Sequence, residues 1–271
     1  MYVENESYYE GLLLIVVSIF ISDIINSFVY LQKNSSDLAA SNNSKTSLDS
    51  LLVKLPEEIL INKEQELEWF CGFSEAESMF YISNTGALSF RVKLHWDDRG
   101  ALEYIKNLLS ELAGRDVGVI VDSKNLHESY FYLSKFKDLY EIVIPILSKY
   151  FFTTSKYLDF QDFKKASEIK KFSFVEKRGL SKEELSQILS IKSNMNNQRL
   201  PFEVKDLPKR TLTSYRLLGF VEGDGSFSLS NMLPLFTIKQ HSKNIHFLYE
   251  IAEFLNNLPY NPEIGATHQN W

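Results

Sequence analysis

The chain has 271 residues with 44% hydrophobic side chains, a single cysteine and a formal net charge of −6. This composition excludes an intrinsically disordered chain, and the lone Cys71 excludes an intramolecular disulfide. The charge does not exclude a nucleic-acid partner, because residues 1–80 hold 4 basic and 13 acidic residues, whereas the other 191 hold 25 basic and 22 acidic residues.

Residues 11–31 form a strongly apolar stretch that Asp23 and Asn26 interrupt. A membrane span needs about 20 apolar residues, and a central Asp costs roughly 2.5–3.5 kcal/mol. The stretch predicts either a weak membrane association or a buried or partner-docked helix, and both remain open. The flank before it carries acidic residues and no Lys or Arg, which is wrong for a secretory signal or an imported presequence. The Ser- and Asn-rich residues 31–50 predict a linker.

The body of the chain contains an internal repeat. Residues 70–80 read FCGFSEAESMF and residues 217–227 read LLGFVEGDGSF. The similarity continues at nearly the same offset, where FRVKLH at 90–95 corresponds to FTIKQH at 236–241. We therefore predict two copies of one unit, about 147 residues apart.

Each copy is predicted to begin with a helix that carries small residues at positions i and i+4. These residues are Gly72, Ala76, Gly219 and Gly223. Such a stripe lets two helix backbones approach closely. A helix–strand contact would explain one stripe, but two equivalent stripes predict that the two helices pack against each other about a pseudo-twofold axis.

Acidic residues occupy the last turn of both predicted helices, as Glu75 and Glu77 in the first and Glu222 and Asp224 in the second. Acids there face the negative end of the helix dipole, which costs about 0.3–1 kcal/mol each. Helix packing would also bring Glu77 near Asp224. A cation would offset this repulsion, and paired carboxylates suit Mg²⁺ and phosphodiester hydrolysis. The alternative is four solvated acids at helix ends.

After each predicted helix, polar and apolar residues alternate with a period of two, which predicts strands with one solvent-exposed face. A twisted antiparallel ribbon of this kind can lie in the DNA major groove and offer polar side chains to base edges. The candidate nucleic-acid-binding residues are Arg91, Lys93, His95, Ser226, Ser228, Ser230, Thr237, Lys239 and His241. An ordinary solvated sheet face remains the alternative.

The remaining pattern predicts the rest of the first copy and part of the second. Further helices are predicted at 100–112, 138–150, 160–171 and 244–255, and further strands at 117–123 and 129–133. One complete copy is then a helix, two strands, a helix, two strands and closing helices.

At this point the residues carry a family resemblance. The segment 217–227 closely resembles the defining motif of the LAGLIDADG homing endonucleases, and 70–80 resembles a diverged copy. The resemblance covers about residues 65–271 and implies an α+β fold in which two αββαββα halves form a saddle over DNA. We expect an N-terminal hydrophobic segment with an extra helix at 1–60, a first repeat at 61–200 and a second repeat at 201–271.

The resemblance also implies the site. The last acid of each motif, Glu77 or Asp224, binds a divalent metal such as Mg²⁺ at the scissile phosphates. Gln240 matches a polar residue that the family often places in its active-site water network. In the first copy the equivalent position is occupied by Leu94. Lys156 falls near a basic residue that stabilises the transition state.

Two departures from the family pattern weaken the expectation of activity. Ser78 replaces the Gly that ends the motif helix, so a left-handed residue is expected to be lost at a cost of about 1 kcal/mol. The second copy has fewer residues after its motif than the first, so we expect a truncated repeat without its last two strands and closing helices, and with an open sheet edge.

The leading hypothesis is a mitochondrial, organelle-encoded, Mg²⁺-dependent endonuclease that cuts a specific double-stranded DNA site and spreads its own intron. The alternatives are a maturase that binds group I intron RNA and an inactive remnant of the same fold. A membrane-anchored interaction protein is suggested only by residues 11–31.

Overall fold

A computed structural model of the chain describes residues 2–4, 12–17, 57–196, 199, 202–230 and 233–257. These residues belong to two compact units. The first unit lies within Asn43–Gly223, and the second combines Asp224–Trp271 with Met1–Asn42. Each unit contains one four-stranded sheet in which all neighbouring strands are antiparallel. The repeat boundaries expected near 60 and 200 stay predictions.

The first unit has the predicted order of a complete repeat, followed by the start of the second motif helix. Its elements are α1 (Glu57–Glu77), β3 (Ser78–Ile82), β4 (Leu88–His95), α2 (Arg99–Ala113), β5 (Val119–Ser123), β6 (Glu128–Leu133), α3 (Ile144–Lys149), α4 (Lys156–Val175), α5 (Lys182–Lys192) and α6 (Ser214–Asp224). A helical turn at Phe136–Asp138 and a π-helical segment at Leu139–Val143 lead directly into α3. The sheet order is β3-β4-β6-β5.

Sequence periodicity accounts for these helices. In α2 the buried residues recur at helical spacing, as Leu102, Ile105, Leu108 and Leu109, and the helix ends at Gly114 with a φ of 62°. The amino end of α5 has a capping box, in which the Ser181 hydroxyl accepts from the Glu184 backbone N–H and the Glu184 carboxylate accepts from the Ser181 N–H.

Phe80, on β3, lies at the centre of the first unit's core and is only 1% exposed. Its ring lies 5.1–5.9 Å from four other phenylalanine rings, three of which come from residues after β6. These four are Phe90, Phe152, Phe160 and Phe163. The residues that close the repeat therefore bury the inner face of the sheet.

The second unit is built around β7 (Gly225–Ser230), β8 (Leu233–His241) and α7 (Ile245–Asn256). Phe227 corresponds to Phe80 and packs against Phe236 at a ring distance of 4.8 Å, yet it is 45% exposed. Within the described residues of this unit, no helix takes the place that α4 has in the first unit. Phe227 is exposed because, in the described residues of the second unit, no helix packs over it as α4 packs over Phe80.

Two strands from the amino-terminal region complete the second sheet. They are β1 (Tyr2–Glu4) and β2 (Leu12–Val17), and the sheet order is β1-β2-β8-β7. Strand β2 pairs with β8 from Leu12↔His241 to Val17↔Phe236. This register repeats that of β6 on β4, where the corresponding residues His95 and Phe90 pair with Glu128 and Leu133.

Strand β1 likewise takes the position that β5 holds in the first sheet. Tyr2 pairs with Val16, as Val119 pairs with Tyr132. The expectation of an open edge on β8 was therefore wrong, because β2 covers that edge. The second repeat is still shorter than the first within the residues described after α6.

The predicted amino-terminal helix is corrected for Leu12–Val17, which form a strand. The β-branched run Ile15-Val16-Val17 favours an extended backbone, and the edge of β8 supplies the hydrogen-bonding groups that such a strand needs. The rest of residues 11–31 lies outside the described residues. Among the helices that are described, none is long and apolar enough to cross a membrane.

The register of β2 on β8 can be tested by disulfide formation in Leu14→Cys/Lys239→Cys, because these residues are direct partners. Directly opposite Cβ atoms lie about 4.5–5.5 Å apart in an antiparallel pair. We expect rapid oxidation to an intramolecular disulfide, measured as a faster-migrating band on a non-reducing gel. Cys71 is buried and serves as the internal background.

The matched control is Ile15→Cys/Lys239→Cys, which places the two thiols on opposite faces of the sheet. Equal rates of oxidation in the two variants would contradict the register.

Candidate functional site

The two motif helices, α1 and α6, cross within the first unit at two glycines. A Cβ atom on Gly72 would lie 1.9 Å from the Arg216 carbonyl oxygen, and one on Gly219 would lie 2.1 Å from the Trp69 carbonyl oxygen. Arg216 and Trp69 each stand three residues before the glycine of their own helix. The contact is therefore symmetric about a pseudo-twofold axis, as the duplicated stripes predict.

The crossing continues toward the carboxyl ends of the helices. A Cβ atom on Gly223 would lie 2.4 Å from the Cβ of Ala76 and 3.5 Å from Oε1 of Glu77. All four small residues of the predicted stripe thus lie at the helix contact. Glu77, the last residue of α1, lies beside Gly223, and Asp224 follows Gly223 in the sequence.

Lys156 is the first residue of α4 and lies at the carboxyl end of α1. Its Nζ donates to the carbonyl oxygens of Ser74 and Ala76 at 3.2 and 3.0 Å. These carbonyls belong to the last turn of a helix, where the dipole is negative and intrahelical donors run out. Lys156 therefore offsets the unfavourable placement of acids at this helix end.

Ser78 begins β3 directly after α1, and its hydroxyl donates to the Ser74 carbonyl oxygen at 2.5 Å. Neither Ser78 nor its counterpart Gly225 has a positive φ. The expected loss of a left-handed helix end was therefore wrong, because both motif helices pass straight into a strand. The serine even satisfies a carbonyl that glycine would leave to other donors.

Two consecutive side-chain hydrogen bonds within the second unit orient Asp224. The Gln240 Nε2 donates to Asp224 Oδ2 at 2.5 Å, and the Asn244 Nδ2 donates to Gln240 Oε1 at 3.0 Å. Asn244 fixes which end of the Gln240 amide faces the carboxylate. In the first sheet the corresponding position is Leu94, which cannot make this bond.

Glu75 is not a solvated helix-end acid, as one alternative had it, but part of the core. Its Oε1 accepts from the backbone N–H groups of Thr153 and Thr154, both at 2.7 Å, and its Oε2 accepts from Nη2 of Arg216. The Glu75 and Arg216 side chains are almost fully buried. Burial opposes the charge of Arg216, but Glu75 raises its pKa above the ordinary value.

Glu222 is the counterpart of Glu75 and has far fewer partners. Its Oε2 accepts from the Trp69 indole N–H at 2.8 Å, and within the described part of the chain its Oε1 has no hydrogen-bond partner. Burial raises the pKa of Glu222 to about 7, against a smaller opposing effect of the Trp69 hydrogen bond. The motif helices are thus symmetric in backbone packing but not in charge.

Sequence reasoning missed Arg216, Thr153 and Thr154 as partners of Glu75. The equivalence of Arg216 with Trp69 was visible, since both stand at the same offset before a motif glycine. The symmetry of the crossing then sends each of these side chains to the inner acid of the other helix. The two threonine N–H donors had no sequence signal.

The predicted nucleic-acid-binding residues whose side chains are described lie on strand positions that are exposed or half-buried. Lys93, His95, Lys239 and His241 are exposed, Arg91 and Thr237 are half-buried, and Ser226 and Ser228 are exposed. The side chain of Ser230 is outside the described part. Lys93 is paired with Glu128 at 3.0 Å, and the His95 Nδ1 accepts from the Asp97 backbone N–H at 3.4 Å.

A family model described as LAGLIDADG endonuclease matches residues 70–167, which include the first motif, the first sheet and α2. This part of the chain is similar to the LAGLIDADG endonuclease family. Two observations therefore support the fold predicted from the internal repeat. They are the match of the family model to residues 70–167 and the packing of the two motif helices.

Two fungal proteins are similar to a longer part of the chain. It is 26% identical over 231 residues to "Uncharacterized mitochondrial protein RF1" of Saccharomyces cerevisiae, covering 78% of this chain and 44% of the relative. It is 26% identical over 219 residues to "Probable intron-encoded endonuclease Cox1-I1b" of Schizosaccharomyces pombe, covering 73% and 52%. The chain spans about half the length of these curated relatives.

The structure resembles that of "I-SmaMI bound to uncleaved DNA target in the presence of Calcium ions". The TM-score is 0.55 and the identity 23%, over 70% of this chain and 72% of that one. This likeness establishes the fold, which is the α+β fold of the LAGLIDADG homing endonucleases.

The donor set suits a metal that takes few ligands from the protein. Among the described residues, no group of three or more His, Cys, Asp and Glu side chains converges. Mg²⁺ usually binds one or two carboxylates and completes its shell with water and phosphate oxygens. Glu77 ends α1 in the first unit, and Asp224, whose carboxylate Gln240 orients, belongs to the second unit. A carboxylate at either position is of the donor type that Mg²⁺ accepts.

The helix crossing predicts a strong effect of a single methyl group at Gly72. Gly72→Ala places a Cβ on the Arg216 carbonyl, and two backbones must move apart. We expect the free energy of unfolding to fall by about 1–3 kcal/mol or more, measured by urea denaturation. The control is Gly100→Ala in α2, where no atom lies within 4 Å and stability should be unchanged or rise by up to about 1 kcal/mol.

The raised pKa of Glu222 predicts a pH-dependent gain for Glu222→Gln. Between about pH 4.5 and 7 the unfolded chain releases a proton that the folded chain keeps, so wild-type stability falls as pH rises. We expect the variant to be more stable by about 1–3 kcal/mol near pH 8, with a smaller gain near pH 5, in urea titrations.

Glu75→Gln is the matched comparison, because Glu75 holds the same place in the other motif helix. It leaves Arg216 buried without its carboxylate partner and should lower the free energy of unfolding by about 3–5 kcal/mol. A pH-independent effect of Glu222→Gln would refute the assignment of this titration.

Proposed function

We propose that this chain is a site-specific, Mg²⁺-dependent endonuclease that cuts both strands of a DNA duplex and promotes the homing of its own mitochondrial intron. The observation that carries the proposal is the Asp224 carboxylate at the end of the second motif helix, oriented by Gln240 and Asn244. The family match of residues 70–167 and the similarity to a probable intron-encoded endonuclease of Schizosaccharomyces pombe support it.

Glu77 and Asp224 are the residues that would hold the metal. A divalent ion supplies Lewis-acid activation of water and neutralises charge on the leaving oxygen. Gln240 donates to Oδ2 of Asp224 and so fixes the orientation of this carboxylate. The related I-SmaMI structure was obtained with calcium and an uncleaved DNA target, which supports a divalent cofactor.

Lys156 supplies positive charge at the end of α1, where Glu77 lies. Its two carbonyl partners hold the ammonium in place, so the charge is available without reorganisation during the reaction. We propose that this charge stabilises the phosphorane-like transition state in the first half. The hydrogen bonds to the Ser74 and Ala76 carbonyls also give Lys156 a structural role at the helix end.

The strand faces are proposed to contact the duplex. In the first sheet these contacts come from Arg91, Lys93 and His95. In the second they come from β7 and β8. The proposed residues of the second sheet are Ser226, Ser228, Ser230, Thr237, Lys239 and His241. Polar side chains on an antiparallel ribbon can reach base edges in the major groove.

One observation favours a maturase as the second candidate. The outer face of the first sheet carries tyrosines, and the rings of Tyr130 and Tyr132 stack at 5.8 Å. Aromatic side chains stack on the unpaired bases of single-stranded RNA loops. Leu94, which lacks the amide of Gln240, also weakens one half of the nuclease site. The intron RNA would then be the partner, and no strand would be cut.

The nuclease proposal predicts cleavage of a supercoiled plasmid that carries the intronless target, incubated with the full chain and Mg²⁺. We expect a linear product from the wild type. Asp224→Asn and Glu77→Gln should each lower the rate of linearisation by about 100-fold or more, because each removes a metal-binding charge. Binding to the same duplex in calcium should persist.

The control is Asp116→Asn, an exposed acid in a surface ion pair with Lys106, which should cleave like the wild type. Absence of cleavage by the wild type, or an unchanged rate in Asp224→Asn, would overturn the nuclease assignment. Protein-dependent splicing of the intron RNA in vitro would then distinguish a maturase from an inactive remnant.

A further inference from the structure

Arg91, in the middle of β4, is held against two tyrosine rings on the outer face of the first sheet. Its guanidinium carbon lies 3.7 Å from the centroid of the Tyr81 ring and 5.3 Å from that of Tyr132. Tyr132 is its direct cross-strand partner on β6. Cation–π contact with both rings restrains a side chain that would otherwise sample many rotamers.

A third contact fixes the rotation of the guanidinium plane. The Arg91 Nε donates to the hydroxyl of Ser89 at 2.8 Å, two residues earlier on the same strand. Among the described residues, neither terminal nitrogen of Arg91 has a hydrogen-bond partner. The inner N–H is thus satisfied within the sheet, and the two outer nitrogens remain as an oriented fork.

Lys93, the neighbouring cation on β4, differs from Arg91 because it is paired with a carboxylate. Lys93 lies beside Glu128 at 3.0 Å, and Glu128 also accepts from the hydroxyl of Tyr130. These two donors lower the pKa of Glu128, with the tyrosine hydrogen bond as the larger cause. Glu128 therefore stays ionised and offsets the charge of Lys93, which is a flexible point charge without a fork.

We propose that Arg91 reads one guanine of the target through the major groove, with its two terminal nitrogens donating to O6 and N7. Two parallel donors on a planar fork match these two acceptors, and no other base presents the same pair in that groove. The inference rests on the proposed function, in which the sheet faces duplex DNA. Lys93 instead contributes affinity through phosphate, without base preference.

The test is a binding selection with the full chain, in calcium, from a library of duplexes with a randomised central segment. The wild type should select a consensus with guanine at one position that depends on Arg91. In both Arg91→Ala and Arg91→Lys, the guanine enrichment there should fall by roughly tenfold or more, with the other positions kept. Arg91→Lys keeps the charge and removes the fork.

Lys93→Ala is the matched control, since it removes a cation from the same face of the same strand. It should weaken binding to all selected duplexes by a similar factor and leave the guanine preference intact. Thermal unfolding of each variant checks that it is folded. If Arg91→Ala does not fold, the guanine enrichment measured with Arg91→Lys still tests the proposal.

The outcomes separate the two proposals. A wild-type consensus in which every guanine survives Arg91→Lys overturns the role of Arg91 and leaves DNA recognition standing. A wild-type chain that selects no duplex sequence, or that binds only structured RNA, overturns both DNA recognition and the role of Arg91.

Discussion

The contact of α1 with α6 at Gly72 and Gly219 is the constraint on which the arrangement of the acids depends. Each glycine lies against a carbonyl oxygen of the other helix, at a distance that leaves no room for a side chain. This crossing brings Glu77 beside Gly223 and sends Arg216 and Trp69 toward the inner acids of the opposite helix. The helix backbones therefore fix the positions of the charges.

The inner acids, Glu75 and Glu222, hold equivalent places in the two motif helices but have different hydrogen-bond partners. Glu75 has a guanidinium and two backbone N–H groups as hydrogen-bond donors in the core. Glu222 has one indole N–H, and burial raises its pKa to about 7. The two threonine donors of Glu75 precede α4, and the described part of the second unit has no helix in that position. The difference in hydrogen-bond partners between Glu75 and Glu222 thus follows from the presence or absence of a segment like the one before α4.

Much of the fold could be predicted from the sequence, because the internal repeat shows the hydrophobic periodicity of each element and the constant offset between the two copies. The strands, the helix crossing and the outer position of Lys93 followed from spacing alone. The buried pair of Glu75 with Arg216 did not, since the distance of 141 residues between them gives no local signal. Leu12–Val17 also misled, because a short apolar run is compatible with either a helix or a strand until its partner is known.

The pairing of β2 with β8 has a consequence for biogenesis. Leu12 and His241 are partners although one lies near the start and the other near the end of the described residues, so this sheet has a very high contact order. On the ribosome, the apolar strand β2 has to remain without its partner until β8 has been synthesised. We expect the first unit to gain its native contacts earlier, and the amino-terminal strands to depend on chaperones during translation.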